Sequence, residues 1–221
     1  GRVFPAQASL PTEYGRALAQ RNEALRRVRA GASSLEAAEP WTSRLAGLGD
    51  ELDSARARLV GLLSPGFAER AAALGLAGGS LAYEERGLAL EELAARLPRD
   101  LERGTTGVGP HLRDVEIRAA ERDLRSFGSQ GEQRIAVLAL LLAEAALLAE
   151  QRGNPPLLLL DDVFSELDES RRRNLLARLP PGGQTVITAT EREHFPPGAE
   201  PPALVVAVRR EGEKSVAEAA S

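Results

Sequence analysis

Cysteine is absent from the 221 residues. That excludes disulfides and thiolate metal sites, and it suits a reducing cytosol, the compartment expected here. Lysine is nearly absent: Lys214 is the only one, and arginine supplies every other basic side chain. A P-loop requires Gly-Lys-Ser/Thr, whose lysine reaches the β- and γ-phosphates. Lys214 follows Glu213 in a polar tail instead, so no Walker A motif is expected in this chain. His111 and His194 are the two histidines, and neither has a neighbour at metal-ligand spacing. No signal peptide is recognisable. The apolar run 135–149 is too short to span a bilayer and contains Glu144, so no membrane partner is expected.

The net charge is −4, which disfavours non-specific nucleic-acid binding, but the charge is unevenly spread. Residues 1–30 carry Arg2, Arg16, Arg21, Arg26, Arg27 and Arg29 against Glu13 and Glu23. Tyr14, Leu18, Leu25 and Val28 share one face of a helix expected to run to residue 29. The arginines on the remainder are either a solvated surface or contacts to DNA phosphates, with Arg16, Arg21, Arg26, Arg27 and Arg29 as candidates.

The chemistry concentrates between residues 129 and 168. Ser129, Gln130, Gly131 and Glu132 open a long apolar helix expected over 131–152. Leu157, Leu158, Leu159 and Leu160 then read as a strand apolar on both faces, as in the interior of a parallel sheet. Asp161 and Asp162 follow, and after them Ser165, Glu166, Leu167 and Asp168. Carboxylates at the C-terminal end of such a strand lie where open α/β sheets bind ligands. Asp161 suits Mg²⁺ held through water, and Asp162 suits a general base that positions the attacking water. Ser129, Gln130, Gly131 and Glu132 sit at a helix start, whose free N–H groups and positive dipole end suit a γ-phosphate. Each piece has a plainer reading. Ser-x-Gly-Glu is an N-cap with an acidic first turn, and paired aspartates also begin turns. Their order and spacing favour the signature, Walker B and D-loop (Ser165, Asp168) of an ATP-binding-cassette-type ATPase.

The stretches 127–134 (Phe-Gly-Ser-Gln-Gly-Glu-Gln-Arg) and 157–168 (Leu-Leu-Leu-Leu-Asp-Asp-Val-Phe-Ser-Glu-Leu-Asp) closely resemble the RecF family of bacterial recombination-repair ATPases. The likeness extends to Arg16-Ala17-Leu18-Ala19-Gln20-Arg21-Asn22 and to Gly109-Pro110-His111. The family's Gly-Pro-His-Arg-Asp-Asp is here Gly109-Pro110-His111-Leu112-Arg113-Asp114, so only Asp114 keeps its place. The resemblance implies the C-terminal part of a cassette-type head, an α/β fold with a parallel sheet, beside a mainly helical second lobe. It implies that ATP and Mg²⁺ bind across a homodimer, one subunit's P-loop facing the other's signature, with the P-loop in a portion this chain lacks. It also implies binding to double-stranded DNA and ss/dsDNA junctions, and cooperation with RecR and RecO in loading RecA during recombination, replication and the SOS response. The aspartate at Asp162, and Ala189-Thr190-Glu191 where transporter cassettes carry a histidine, imply slow turnover.

The expected divisions are a mainly helical lobe over 1–103, a glycine-rich loop and hairpin over 104–130, the head part over 131–210 and a disordered tail over 211–221. Within the first, helices are expected over 41–63 and 67–76, broken at Pro65-Gly66, and over 88–102, with Trp41 in the core. The hairpin is expected to pair 115–118 with 124–127. Two other readings stay open. The chain could be the head of another chromosome-maintenance ATPase of the SMC or RecN kind, although it lacks their long heptad arrays. It could also be a non-catalytic module that binds DNA or a mediator.

Overall fold

In the computed structural model, residues 3–165, 167–212 and 214–220 are described. Glu166, placed above in the D-loop stretch, and Glu213 of the expected tail lie outside the described residues. Leu10, Tyr14, Ala17 and Leu25 recur at helical spacing, and they are the buried apolar face of α1 (Leu10–Arg29). Helix α2 (Glu39–Ala73) is continuous for 35 residues and runs through Pro65. The break expected at Pro65-Gly66 does not occur. An internal proline costs a helix about 3 kcal/mol, but Val60, Leu63, Phe67 and Ala71 are buried on both sides of it and hold the axis together.

Strand β1 (Ser80–Ala82) is followed by α3 (Leu90–Arg103), which also passes through its proline, Pro98. Gly104 ends α3 in the left-handed conformation, φ 67°. Strand β2 (Glu116–Ala119) pairs antiparallel with β1 and with β3 (Arg122–Asp123). The tight turn between β2 and β3 puts Ala120 and Glu121 at positive φ, 48° and 64°. The hairpin is therefore shorter than expected. Residues 124–127 are not its second arm but a helical turn, α4 (Leu124–Phe127), because the Asp123 side chain accepts from Arg125 N–H and caps it.

Helix α5 (Gln130–Arg152) packs on the C-terminal half of α2. Strand β4 (Leu158–Leu160) crosses over through α6 (Glu169–Leu176) to its parallel partner β5 (Thr185–Ile187). The last elements are β6 (Val205–Glu211) and β7 (Lys214–Ala220). They form an antiparallel ladder from Val205↔Ala220 to Glu211↔Lys214, so residues 214–220 of the tail expected to be disordered are a strand. They carry no long apolar run, but β6 offers a continuous backbone edge, and an Arg209–Glu218 ion pair crosses the ladder.

Two cores result. One joins α1, the first half of α2 and Leu93 of α3. The other joins the second half of α2, α5, β4, Phe164, Leu167 and Leu175 of α6. The 1–103 unit drawn from sequence is thus shared between both, since α2 enters both. Trp41, expected in the core, is 38% exposed at the start of α2. The leucine strand is covered on one face only. Leu158 and Leu160 are buried, while Leu159 and Val186 of its partner are exposed, because helices cover one side of the two-stranded sheet. The architecture is α/β with a parallel pair flanked by helices, beside a mainly helical lobe. Among the described residues, no helix is long and apolar enough to cross a membrane.

Candidate functional site

Ser129 is the N-cap of α5, with φ −64° and ψ 160°. Its hydroxyl accepts from Glu132 N–H at 3.2 Å, and its own N–H donates to Glu132 Oε2 at 2.8 Å, a full capping box. The Ser129 hydroxyl also donates to the same carboxylate oxygen at 3.0 Å. The hydrogen bond from the Ser129 backbone, foremost, holds the Glu132 carboxyl below the usual carboxylate range. Gln133 donates from its side-chain amide to the Leu124 and Gly128 carbonyls, fixing the approach to the helix. Gln130 and Gly131 occupy the first turn, where N–H groups have no intrahelical acceptor, and both are exposed. The plain N-cap reading is therefore realised in geometry. Glu132 is the internal anion of this helix end, and Ser129, Gln130 and Gly131 are its open side.

Asp161 and Asp162 stand exposed at the C-terminal end of β4. Their organiser is a residue the sequence reading passed over. The Thr188 hydroxyl, just beyond β5, donates to Asp161 Oδ1 at 2.5 Å and accepts from Asp162 N–H at 2.9 Å. The available signal was parallel pairing: β4 and β5 are in register as Leu160↔Ile187, which brings residue 188 beside residue 161. Asp162 is at φ 44°, a left-handed conformation that a non-glycine residue adopts at a cost of about 1–3 kcal/mol. Among the described residues, no group of three or more His, Asp or Glu side chains could hold a metal ion by itself. Two exposed carboxylates, one already oriented, fit Mg²⁺, which keeps several waters and takes phosphate oxygens for the rest.

The turn that follows is held from beneath by Arg172. Its Nε–H donates to the Phe164 and Leu167 carbonyls at 3.0 and 2.8 Å, and Nη1 donates to the His194 carbonyl at 3.2 Å. Ser165 donates its hydroxyl to the Asp162 carbonyl at 3.0 Å. Asp168 is the N-cap of α6, accepting from Arg171 N–H at 2.8 Å. Arg172, flanked on α6 by Arg171 and Arg173, is thus a clamp on carbonyls. The carboxylate-bearing strand and α5 stand on one core, which contains Ile135, Ala139 and Leu142 of α5 with Leu158 and Leu160 of β4.

The arginines of α1 divide. Arg21 was a candidate for DNA contact, but it is fully buried. It donates to Asp100 Oδ2 at 2.9 Å, to Thr106 at 2.6 Å and to Thr42 at 3.1 Å. Its position on α1 faces α3 and the 104–110 loop, so its charge is consumed inside the lobe. Asn22 Oδ1 accepts from Thr106 N–H, and Asp100 accepts from Gly107 N–H, so the glycine-rich loop is tied down rather than open to phosphate. Arg26 and Arg29 are exposed but reach the Gly104 and Glu102 carbonyls. Arg16 and Arg27 are exposed.

His111 is also structural. Its Nε2–H donates to the Thr106 carbonyl at 3.2 Å, which leaves Nδ1 to accept from the Tyr14 hydroxyl at 2.7 Å. Burial pushes the His111 imidazole below its usual range and the Tyr14 phenol up to about 12. Arg113, shifted along the loop, pairs with buried Asp53 at 2.9 Å, while Asp114 pairs with Arg125 at the surface.

No family model matches the chain. Among curated proteins it is 40% identical over 225 residues to the DNA replication and repair protein RecF of Anaeromyxobacter sp. (strain K), covering 93% of this chain and 59% of that protein. It is 40% identical over 208 residues to the protein of the same name from Myxococcus xanthus, covering 85% and 54%. The chain thus spans a little over half the length of these relatives. A solved structure of the recombination mediator protein RecF-ATPrS in the RecFOR pathway superposes with a TM-score of 0.72 at 26% identity, over 86% of this chain and 55% of that one. The RecF-ATP structure gives 0.77 at 24% identity over 99% and 60%, a likeness of fold. The capped start of α5, the paired aspartates, the helical lobe and these similarities agree, and the chain belongs to the RecF family.

Proposed function

We propose that this chain supplies the signature, Walker B and D-loop of an ATP-dependent DNA recombination and repair protein that works as a RecF-like homodimer. The observation that carries the reading is the pairing, on one hydrophobic core, of a capped but open helix start at Ser129 with two aspartates oriented by Thr188. In this reading the Ser129 hydroxyl and the N–H groups of Gln130 and Gly131 receive the γ-phosphate of a nucleotide held by the second subunit's P-loop. The Glu132 carboxylate already bonded to Ser129 gives way to, or shares the hydroxyl with, that phosphate. Asp161, with Thr188 fixing one oxygen, is the carboxylate that holds Mg²⁺ through water. A bound Mg²⁺ neutralises charge developing on the phosphates. Asp162 points its carboxylate at the attacking water and takes its proton. Ser165 and Asp168 fix the turn that faces the partner subunit.

The relatives' names place them in DNA replication and repair, and the solved structures belong to a RecFOR pathway. By that similarity the partners are double-stranded DNA and ss/dsDNA junctions, RecR and RecO, and a second copy of the protein. Arg16 and Arg27 are the arginines of α1 best placed to meet phosphate, with Arg26 and Arg29 beside them; Arg21 is not available.

The test extends the chain at its N-terminus with the P-loop portion of its Anaeromyxobacter relative. In that protein Ser129→Arg abolishes ATP-driven dimerisation and leaves mononucleotide binding in place. Dimerisation unchanged by Ser129→Arg removes the signature assignment.

A further inference from the structure

Two segments meet at the aspartate end of β4. The first is the turn after β4, which carries Phe164 and Leu167 and leads into α6. The second leaves β5 at Thr188 and passes through the short helical turn Arg192–His194 to Phe195. They lie on opposite sides of the crossover through α6, yet they are joined at both ends. At the near end, Thr188 N–H donates to the Leu160 carbonyl at 2.9 Å, and the Thr188 hydroxyl bridges Asp161 and Asp162. At the far end, the buried Phe164 ring meets Phe195 edge to face, with centroids 6.2 Å apart.

Arg172 closes that far end. Its Nε–H is shared between the Phe164 and Leu167 carbonyls of the first segment, and its Nη1 donates to the His194 carbonyl of the second. The Phe164 carbonyl also accepts from Leu167 N–H at 3.1 Å, so the guanidinium sits on a closed turn. A guanidinium is planar and rigid, and its Nε and Nη1 donors keep a fixed spacing. Sliding one segment against the other therefore breaks a charge-assisted bond. All three acceptors are main-chain oxygens, so the cation here orders backbone.

We propose that Arg172 is a positioning residue for the paired aspartates: by locking His194 to the turn after β4, it holds Thr188 where its hydroxyl bridges Asp161 and Asp162. It acts through the 188–195 segment. The link stands on this geometry, while its bearing on Mg²⁺ and the attacking water rests on the roles proposed for Asp161 and Asp162.

The test is amide hydrogen exchange of the 221-residue chain, read by NMR without nucleotide, so those roles do not enter the result. Arg172→Met removes the donors and keeps the apolar stem. Exchange at the Asp162 amide is expected to rise about threefold or more, the effect of losing a single hydrogen bond's hold. The amides of α1, which belongs to the other core, are expected to exchange as in the parent. Leu175→Ala separates positioning from plain stability, because it thins the core beneath α6 and leaves the three carbonyl bonds in place. It is expected to speed exchange of the core amides of α5 and to leave Asp162 at the parent's rate. Phe195→Leu loosens the far end with the guanidinium intact, and is expected to raise Asp162 exchange even where Arg172→Met does not fold. An Asp162 rate unchanged in Phe195→Leu and in folded Arg172→Met overturns the proposal. So does an equal rise in Leu175→Ala, which would mean that Arg172 only stabilises the fold.

Discussion

The Thr188 hydroxyl bridges the two aspartates at the end of the leucine strand, donating to Asp161 Oδ1 at 2.5 Å while accepting from Asp162 N–H at 2.9 Å. One hydroxyl therefore sets both the orientation of a carboxylate and the backbone of its neighbour, which is held at φ 44°. Thr188→Val removes the donor and the acceptor while keeping the shape. The Asp162 amide is then expected to exchange with solvent faster than in the parent, and Thr188→Ser to restore its protection. Equal exchange in all three proteins would mean that the bridge is not maintained in solution.

The buried pair Arg21–Asp100 is expected to be a stability element. Arg21→Met leaves the Asp100 carboxylate buried without its guanidinium, which costs about 3–5 kcal/mol in chemical denaturation. Arg21→Met combined with Asp100→Leu is expected to recover most of that loss. Arg16→Ala and Arg27→Ala, at exposed positions, are expected to stay within about 0.5 kcal/mol of the parent. If the chain binds duplex DNA, those two substitutions weaken it and flatten its salt dependence. A small effect of Arg21→Met on stability would contradict the assignment.

The capping box gives a pH signature. The Glu132 carboxyl lies below its ordinary 4.5 in the folded chain, chiefly through the Ser129 backbone hydrogen bond. Its contribution to stability is thus fully present above 4.5 and is lost as the pH falls through the lower, folded value. The stability difference between the parent and Glu132→Gln is expected to be constant near neutrality and to shrink on acidification below 4.5. A difference that does not vary with pH would show that the capping bond is not formed. Ser129→Ala, which removes the cap oxygen, is expected to cost about 1 kcal/mol.

Much of the fold was legible in the residues. Ser129 and Glu132 three apart announced a helix start, and the leucines a strand that ends at Asp161-Asp162. What sequence hid came from partners distant in the chain. Pro65 reads as a breaker, yet Phe67 and Ala71 beyond it are fully buried and carry α2 across. Arg21 looks like any other arginine of α1 until Asp100 and Thr106 are brought against it by the fold. The leucine strand promised a sheet covered on both faces, whereas the covering helices lie on one, leaving Leu159 exposed. Residues 214–220 carry no long apolar run, and pairing along β6 makes them a strand.

The central claim is that these residues form one part of a composite site whose P-loop lies elsewhere, since the only lysine, Lys214, begins β7 in a hairpin. Equilibrium dialysis of this chain alone against ATP and Mg²⁺ tests it most directly. No detectable binding is predicted, because in the proposed reading Ser129 and Asp161 meet a nucleotide only once a P-loop presents it. Tight, stoichiometric binding by the chain alone would contradict the account and reveal a nucleotide site built from other residues.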